Sequence, residues 1–294
     1  MEFLVAGFEI IEQESGLEGI FKQAELPGRI CYGSQDKMAP GTAEKFVNGL
    51  MKSNHGAPLE HGSVYLKADD EYHGNPLDKY RDNPYSKLRS VNGTKYVSTN
   101  LRVLFENGWL KDLEDYLCEP TEFHEKRYTV RFTVDRFTGE EFLRHRKASF
   151  NRESTRYVLF TKEKFGGGSI KYIIPPWILD DKSRIEGYAE QDIDFYIDTM
   201  REYLQTKQPL DDIFAWTFAL KSAEWSYCYL VNECGWKAEQ ARTVLPCAIN
   251  SPLIKTAFLS DWKNFFNLRA KGTTGKPHPQ ALELLFLKKR LSLM

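Results

Sequence analysis

One stretch of the chain gathers side chains that can do chemistry: Glu141, Arg144, His145, Arg146, Lys147, Asn151, Arg152, Glu153, Ser154, Thr155 and Arg156. Between positions 144 and 156 stand five Lys or Arg and one acid, a local excess of +4 in a chain of net charge −1. A helix would set Glu141 beside Arg144 and His145, at i to i+3 and i+4. The residues after it, with Asn151, Ser154 and Thr155, read as a loop. Arginine forks, hydroxyls and free backbone N–H groups together suit a phosphate better than a base edge or a metal ion. The plainer alternative is a solvated basic face paired with acids from elsewhere.

Other candidate groups are more scattered. His55 and His61 flank Glu60, but loop spacing and the lack of a third clear ligand favour local hydrogen bonding over a metal site. Arg242 lies in ARTVLP and Arg269 ends the aromatic run WKNFFNLR; alone, each reads as a surface arginine. Cys31 and Cys247 have no adjacent base, so a cysteine nucleophile gains little support. There is no dinucleotide-type GxGxxG, no P-loop and no GxSxG.

The elements that must position these residues follow from pattern. Tyr128, Val130, Phe132 and Val134 alternate with mostly polar groups, as a half-buried strand does. Thr138 and Glu141 form a capping-box pattern, which predicts a helix beginning there and carrying Phe142 to Arg146. Helical spacing marks residues 43–51, 185–204, 213–230, 238–244 and 279–293, and IKYII before Pro175 reads as a strand. Residues 67–127 are rich in Asp, Asn, Tyr and Lys and read as an insertion of loops with one or two helices. Strands first and long helices later predict an α+β fold, a mixed sheet packed with helices. The 294 residues are expected to form a single domain spanning 1–294.

Composition narrows the class. Hydrophobic residues make up 41% and aromatics 14%, enough to build a core. The near-zero net charge argues against a general nucleic-acid or membrane-surface binder. The first residues carry Glu2 and Glu9 without Lys or Arg, unlike a secretory signal, and no run of 18 apolar residues occurs. Five scattered cysteines without a CxxC pair suggest no disulfide framework. The expectation is a soluble, cytoplasmic protein.

Taken together, these segments resemble the flavin-dependent thymidylate synthases. Arg144-His145-Arg146, seven residues and then Ser154, continuing to Arg156 and Tyr157, is similar to that family's signature. Arg29-Ile30-Cys31-Tyr32 resembles its ARVS-type turn, and NHGAPLEH its GHxSPFEH-type segment. Arg242 and Arg269 stand 27 residues apart, as the family's two late arginines do. The resemblance spans roughly residues 25–285, with 67–127 as a subfamily feature.

The resemblance implies a homotetramer with shared active sites and reductive methylation of dUMP to dTMP. Methylenetetrahydrofolate gives the carbon, FAD carries the hydride, NADPH is the reductant and no cysteine nucleophile is needed. It implies that FAD is held by Arg144, His145 and Arg146, helped by His55, Ala57, Glu60, Arg152 and Asn264. It places dUMP on Glu141, Arg144, the loop Arg152, Glu153, Ser154, Thr155 and Arg156, and on Arg242. Arg269 would sit at the uracil as the catalytic group. No metal, nucleic acid or membrane partner is implied. Three positions depart from the family: Arg152 where Glu or Gln is frequent, Phe258 to Ser260 in place of an Asn-x-Arg flavin contact, and Ala57 where Ser or Thr is frequent. Arg152 leaves a hydroxymethylated product open. A nucleic-acid-binding or inactive scaffold homologue is the alternative from another class.

Overall fold

The computed structural model describes residues 1–70, 74–163, 167–273 and 275–281. The chain runs β1 (Glu2–Val5), β2 (Gly7–Ile11), α1 (Gly16–Cys31), α2 (Thr42–Lys52), a 3-10 turn (Pro58–His61), β3 (Ser63–Asp69), β4 (Lys87–Val91) and β5 (Thr94–Asn100). Then come α3 (Leu101–Glu106), α4 (Asp112–Asp115), β6 (Arg127–Thr133), α5 (Arg136–Leu143), β7 (Ser149–Arg152) and β8 (Lys171–Ile174). The helical half holds α6 (Lys182–Ala189), α7 (Ile193–Thr206), α8 (Asp212–Asn232) and α9 (Ala238–Ala241), before β9 (Leu253–Phe258) and α10 (Leu259–Arg269).

The site rests on a four-stranded antiparallel sheet ordered β2-β6-β9-β7. Its core joins Val130, Phe132 and Leu253 from the strands to Phe142 from α5 and Trp262, Phe265 and Phe266 from α10. Because α10 buries one aromatic face here, its last residue, Arg269, is delivered to the end of α5. A second sheet, β3-β5-β4, is also antiparallel and packs on α1 and α2. Among the described residues parallel pairing is confined to β1 with β8, so the α+β class holds while the main sheet is antiparallel rather than mixed.

Several sequence expectations change, and Asn151, read as part of a loop, lies within β7. The segment 67–127 is not chiefly loop: it holds β4 and β5, whose buried residues Tyr96 and Val97 alternate with no clean polar face because β5 is the central strand. Strand β9 escaped pattern reading because all six of its residues are buried and Lys255 interrupts the apolar run. Helix α5 begins before Thr138. Asp135 is its N-cap, accepting the Thr138 N–H at 3.0 Å and the Thr138 hydroxyl at 2.6 Å. The helix stops at Leu143, where His145 N donates to Phe142 O at 3.1 Å in a closing turn. Arg144 is therefore the C-cap, and His145 and Arg146 lie in the turn to β7 rather than on a helix. The helix expected over 279–293 lies outside the described residues beyond a 3-10 turn at Pro279–Ala281.

Candidate active site

Arg269 is the centre of the site. Its Nη1 donates to Glu141 Oε2 at 2.9 Å, its Nη2 to the Glu141 carbonyl at 2.8 Å, and its Nε to His145 Nε2 at 3.1 Å. The last bond fixes a tautomer: an imidazole that accepts at Nε2 is neutral and carries its proton on Nδ1. The environment agrees. Burial, then the positive charges of Lys255 and Arg269, push the His145 pKa down to about 4. The His145 ring also meets Phe265 edge-on at 4.7 Å, so core packing and hydrogen bonding set one orientation.

Behind this triad lies Lys255, a side chain sequence reading did not single out. Its ammonium nitrogen sits 3.4 Å from the Phe265 ring centre and 4.2 Å from that of Trp262. The aromatic faces attract the cation, yet burial drives its pKa well below the ordinary lysine value. A lysine inside an otherwise apolar strand was the available signal.

Two cavities border the cluster. One, of about 520 Å³, is lined by Phe137, Glu140, Glu141, Leu143, Arg144 and Arg146. The other, of about 340 Å³, takes Glu60 and Arg146 together with Ser149, Thr256, Phe258 and residues from 84–106. Arg146 thus borders both. Arg152 is half-buried and pairs with Glu140 at 2.8 Å, bracing β7 against α5 at the edge of the first cavity.

The loop after β7 forms a second group. Ser154 N donates to the Cys31 carbonyl at 3.1 Å, tying the loop to the end of α1, and Thr155 is buried. Arg156 is exposed and pairs with Glu239 at 2.9 Å, which brings the loop to α9 and so towards the exposed Arg242 one turn further on. Burial raises the Glu153 carboxyl to about 7, although Arg131 and Lys171 oppose it. Burial likewise pushes the Cys31 thiol up.

Of the expected site residues, only Glu60, Glu141, Arg144 and Arg146 line these cavities; Arg269, His145, Arg152, Glu153, Ser154, Thr155, Arg156, Arg242, His55, Ala57 and Asn264 line neither. His55 and Asn264 are exposed. No group of three or more His, Cys, Asp or Glu among the described residues could hold a metal ion. His61 has a structural position instead: fully buried, it meets Thr256 Oγ1 at 2.7 Å and Asn151 Oδ1 at 3.0 Å. Those partners are far along the chain, so His61 fastens the Glu60 turn to β7 and β9. Burial and the nearby Arg127 charge hold it neutral, with a pKa of about 3.

Fold and site together define an α+β protein whose basic cluster, centred on an arginine held at each of its three nitrogens, borders two cavities. The chain belongs to the family described as thymidylate synthase complementing protein, which matches residues 96–281. A comparison with curated proteins found no match. Among solved structures, the UMP/dUMP methylase PolB from Streptomyces cacaoi bound with 5-Br dUMP is similar at 17% identity and a TM-score of 0.41, covering 100% of this chain and 92% of that one. The same protein bound with 5-Br UMP gives 17% identity and a TM-score of 0.40, covering 99% and 90%. These superpositions are loose, and family membership rests on the sequence match. No helix among the described residues is long and apolar enough to cross a membrane.

Proposed function

We propose that the protein reductively methylates dUMP to dTMP, with methylenetetrahydrofolate as carbon donor, FAD as hydride carrier and NADPH as reductant. The observation that carries this reading is Arg269, held by Glu141 and His145 between the Arg144-His145-Arg146 turn and α5. A guanidinium stays charged at any working pH and can stabilise an anionic uracil through parallel hydrogen bonds. The Glu141 carboxylate supplies the negative charge opposite Arg269. On dUMP binding, the ionised N3–C=O edge of uracil takes that place and Glu141 turns to the nucleotide with Arg144. Electron density then builds at uracil C5, the carbon that takes the one-carbon unit.

Neutral His145 accepts one N–H of Arg269 and so keeps the guanidinium plane fixed while its other N–H groups change partner. Ser154, Arg156 and Arg242 hold the nucleotide phosphate; Glu239 is the carboxylate that phosphate displaces from Arg156. The raised Cys31 pKa disfavours a thiolate, in keeping with a route that uses no cysteine nucleophile.

The residues present fit a flavin dinucleotide. The second cavity gathers Arg102, Arg127, Arg146 and two lysines, and the buried Arg127 Nε has no hydrogen-bond partner among the described residues. An anion would satisfy it. A flavin held there would supply the hydride, with NADPH as its reductant. Glu60 and Arg146 would hold it, with His55, Ala57 and Asn264 reaching it from a neighbouring subunit of a homotetramer. In support of that assembly, Trp225 and Tyr229 stack on the α8 surface while 49% and 47% exposed. The test is product analysis: with dUMP, methylenetetrahydrofolate and NADPH, the nucleotide should gain CH2. A gain of CH2O would replace the methylase with a hydroxymethylase, and an unchanged nucleotide would refute both.

A further inference from the structure

The segment between β3 and β6 supplies side chains to the flavin cavity that the Arg-His-Arg turn does not. Tyr85, Lys87 and Arg102 line it from this segment, and Arg127 lines it from the start of β6. Tyr85 and Lys87 precede the part of the chain that the family matches, 96–281. Five cationic side chains and three carboxylates line the cavity, so it carries a net charge of +2 in a protein of net charge −1.

The geometry favours a divalent anion joined to a flat ring. Arg102 is braced by Glu60 at 2.6 Å through Nη1 and by Glu106 at 2.7 Å through Nε, which leaves its Nη2 unpaired among the described residues. Arg127 is held through Nη1 by Ser63 Oγ and the Thr99 carbonyl and through Nη2 by the Glu60 carbonyl at 2.9 Å and Ser149 Oγ, which leaves its buried Nε as the one nitrogen unpaired among the described residues. Lys87 and Arg127 lie 5.6 and 5.5 Å from the centre of the Phe258 ring. Forked donors held in advance lose little freedom on meeting a phosphate. Tyr85, 66% exposed at the rim, is free to lie on a ring.

We propose that Arg102, Lys87 and Arg127 bind the diphosphate of the flavin dinucleotide and that Tyr85 covers one of its rings, so that 84–106 is a cofactor-holding wall built into the chain itself. This rests on the flavin reading above. It assigns a role to the insertion and explains how a cavity lined by Phe258, where the family has its Asn-x-Arg flavin contact, would still hold the cofactor.

The test is FAD affinity of the full-length protein, stripped of flavin and followed by flavin fluorescence. Lys87→Gln, Arg102→Gln and Tyr85→Ala should each weaken FAD at least about tenfold, and Arg102→Lys should recover only part of the loss. ADP should compete with FAD on the wild type and lose that competition in Arg102→Gln. The dUMP dissociation constant should stay within about twofold in all four variants. Since Tyr85 and Lys87 are surface residues, their variants should melt within a few degrees of the wild type. Unchanged FAD affinity in folded Lys87→Gln and Tyr85→Ala would overturn the wall, as would a loss of affinity for methylenetetrahydrofolate alone, which would give the cavity to the folate tail. A wild type that binds dUMP but no FAD would instead overturn the flavin reading and the wall with it.

Discussion

At the residue scale, the account stands on the three-way grip on Arg269. Arg269→Ala removes the side chain proposed to neutralise an anionic uracil, and dTMP formation should fall by about 10²–10³-fold in kcat. The side chain is 23% exposed, so circular dichroism should show an intact fold; turnover within threefold of wild type would sink the role. Arg269→Lys should not rescue it, because a point charge cannot donate to the Glu141 carboxylate, its carbonyl and His145 together. His145 provides a second check. Its bond from Arg269 Nε requires a neutral ring, so its imidazole resonances should titrate near pH 4, and an ordinary value of 6.5 would contradict the bonding pattern.

At the scale of elements, β9 carries an internal cost. Lys255 is 1% exposed, packed in rings, with a folded pKa below the ordinary 10.5. For such a base stability is full above the ordinary value and falls as pH drops below it, so at neutral pH the amine's burial costs stability. Lys255→Met, similar in length and without the amine, should raise the urea midpoint, by about 1 kcal/mol or more in stability. A loss of that size would mean that the aromatic cage more than offsets burial. The same lysine explains what could be read in advance. The alternation of β6 and the helices over 43–51 and 213–230 were visible from local pattern, whereas Glu141, expected beside Arg144 and His145 on one helix, bonds Arg269 instead. Strand β9, buried on both faces and split by Lys255, had no such signature. The α5 boundary was misplaced because Thr138 resembles a cap, while Asp135, three residues earlier, accepts from both its amide and its hydroxyl. The grip of His145 on Arg269 joins residues 124 apart and depends on α10 ending beside α5, which no local pattern records.

At the scale of the whole molecule, acid should act through buried histidines. His61 and His145, at about 3 and 4, lie below their ordinary 6.5. Above pH 6.5 neither state is protonated and stability is full. As pH falls, the unfolded chain takes up protons that the folded chain refuses, at about 1.4 kcal/mol per pH unit for buried His61 and less for half-buried, solvent-screened His145. Glu153 acts oppositely: its folded value of about 7 exceeds the ordinary 4.5, so it adds stability as pH falls from 7 to 4.5. The melting temperature should therefore decline gently from pH 6.5 to 4.5 and steeply below. His61→Gln should flatten the steep limb by about one proton, and an identical limb would contradict the buried neutral His61. Assembly belongs to this scale too. Light scattering on the purified protein should give four times the 34.1 kDa chain mass, and Trp225→Asp with Tyr229→Asp should reduce it.

The most direct test of the central claim is the visible spectrum of the purified protein, recorded before and after anaerobic NADPH, with dUMP and methylenetetrahydrofolate then added. The account predicts a flavin band that bleaches with NADPH, and nucleotide that leaves the mixture heavier by CH2. A colourless protein that takes up no added FAD and returns dUMP unchanged would contradict it.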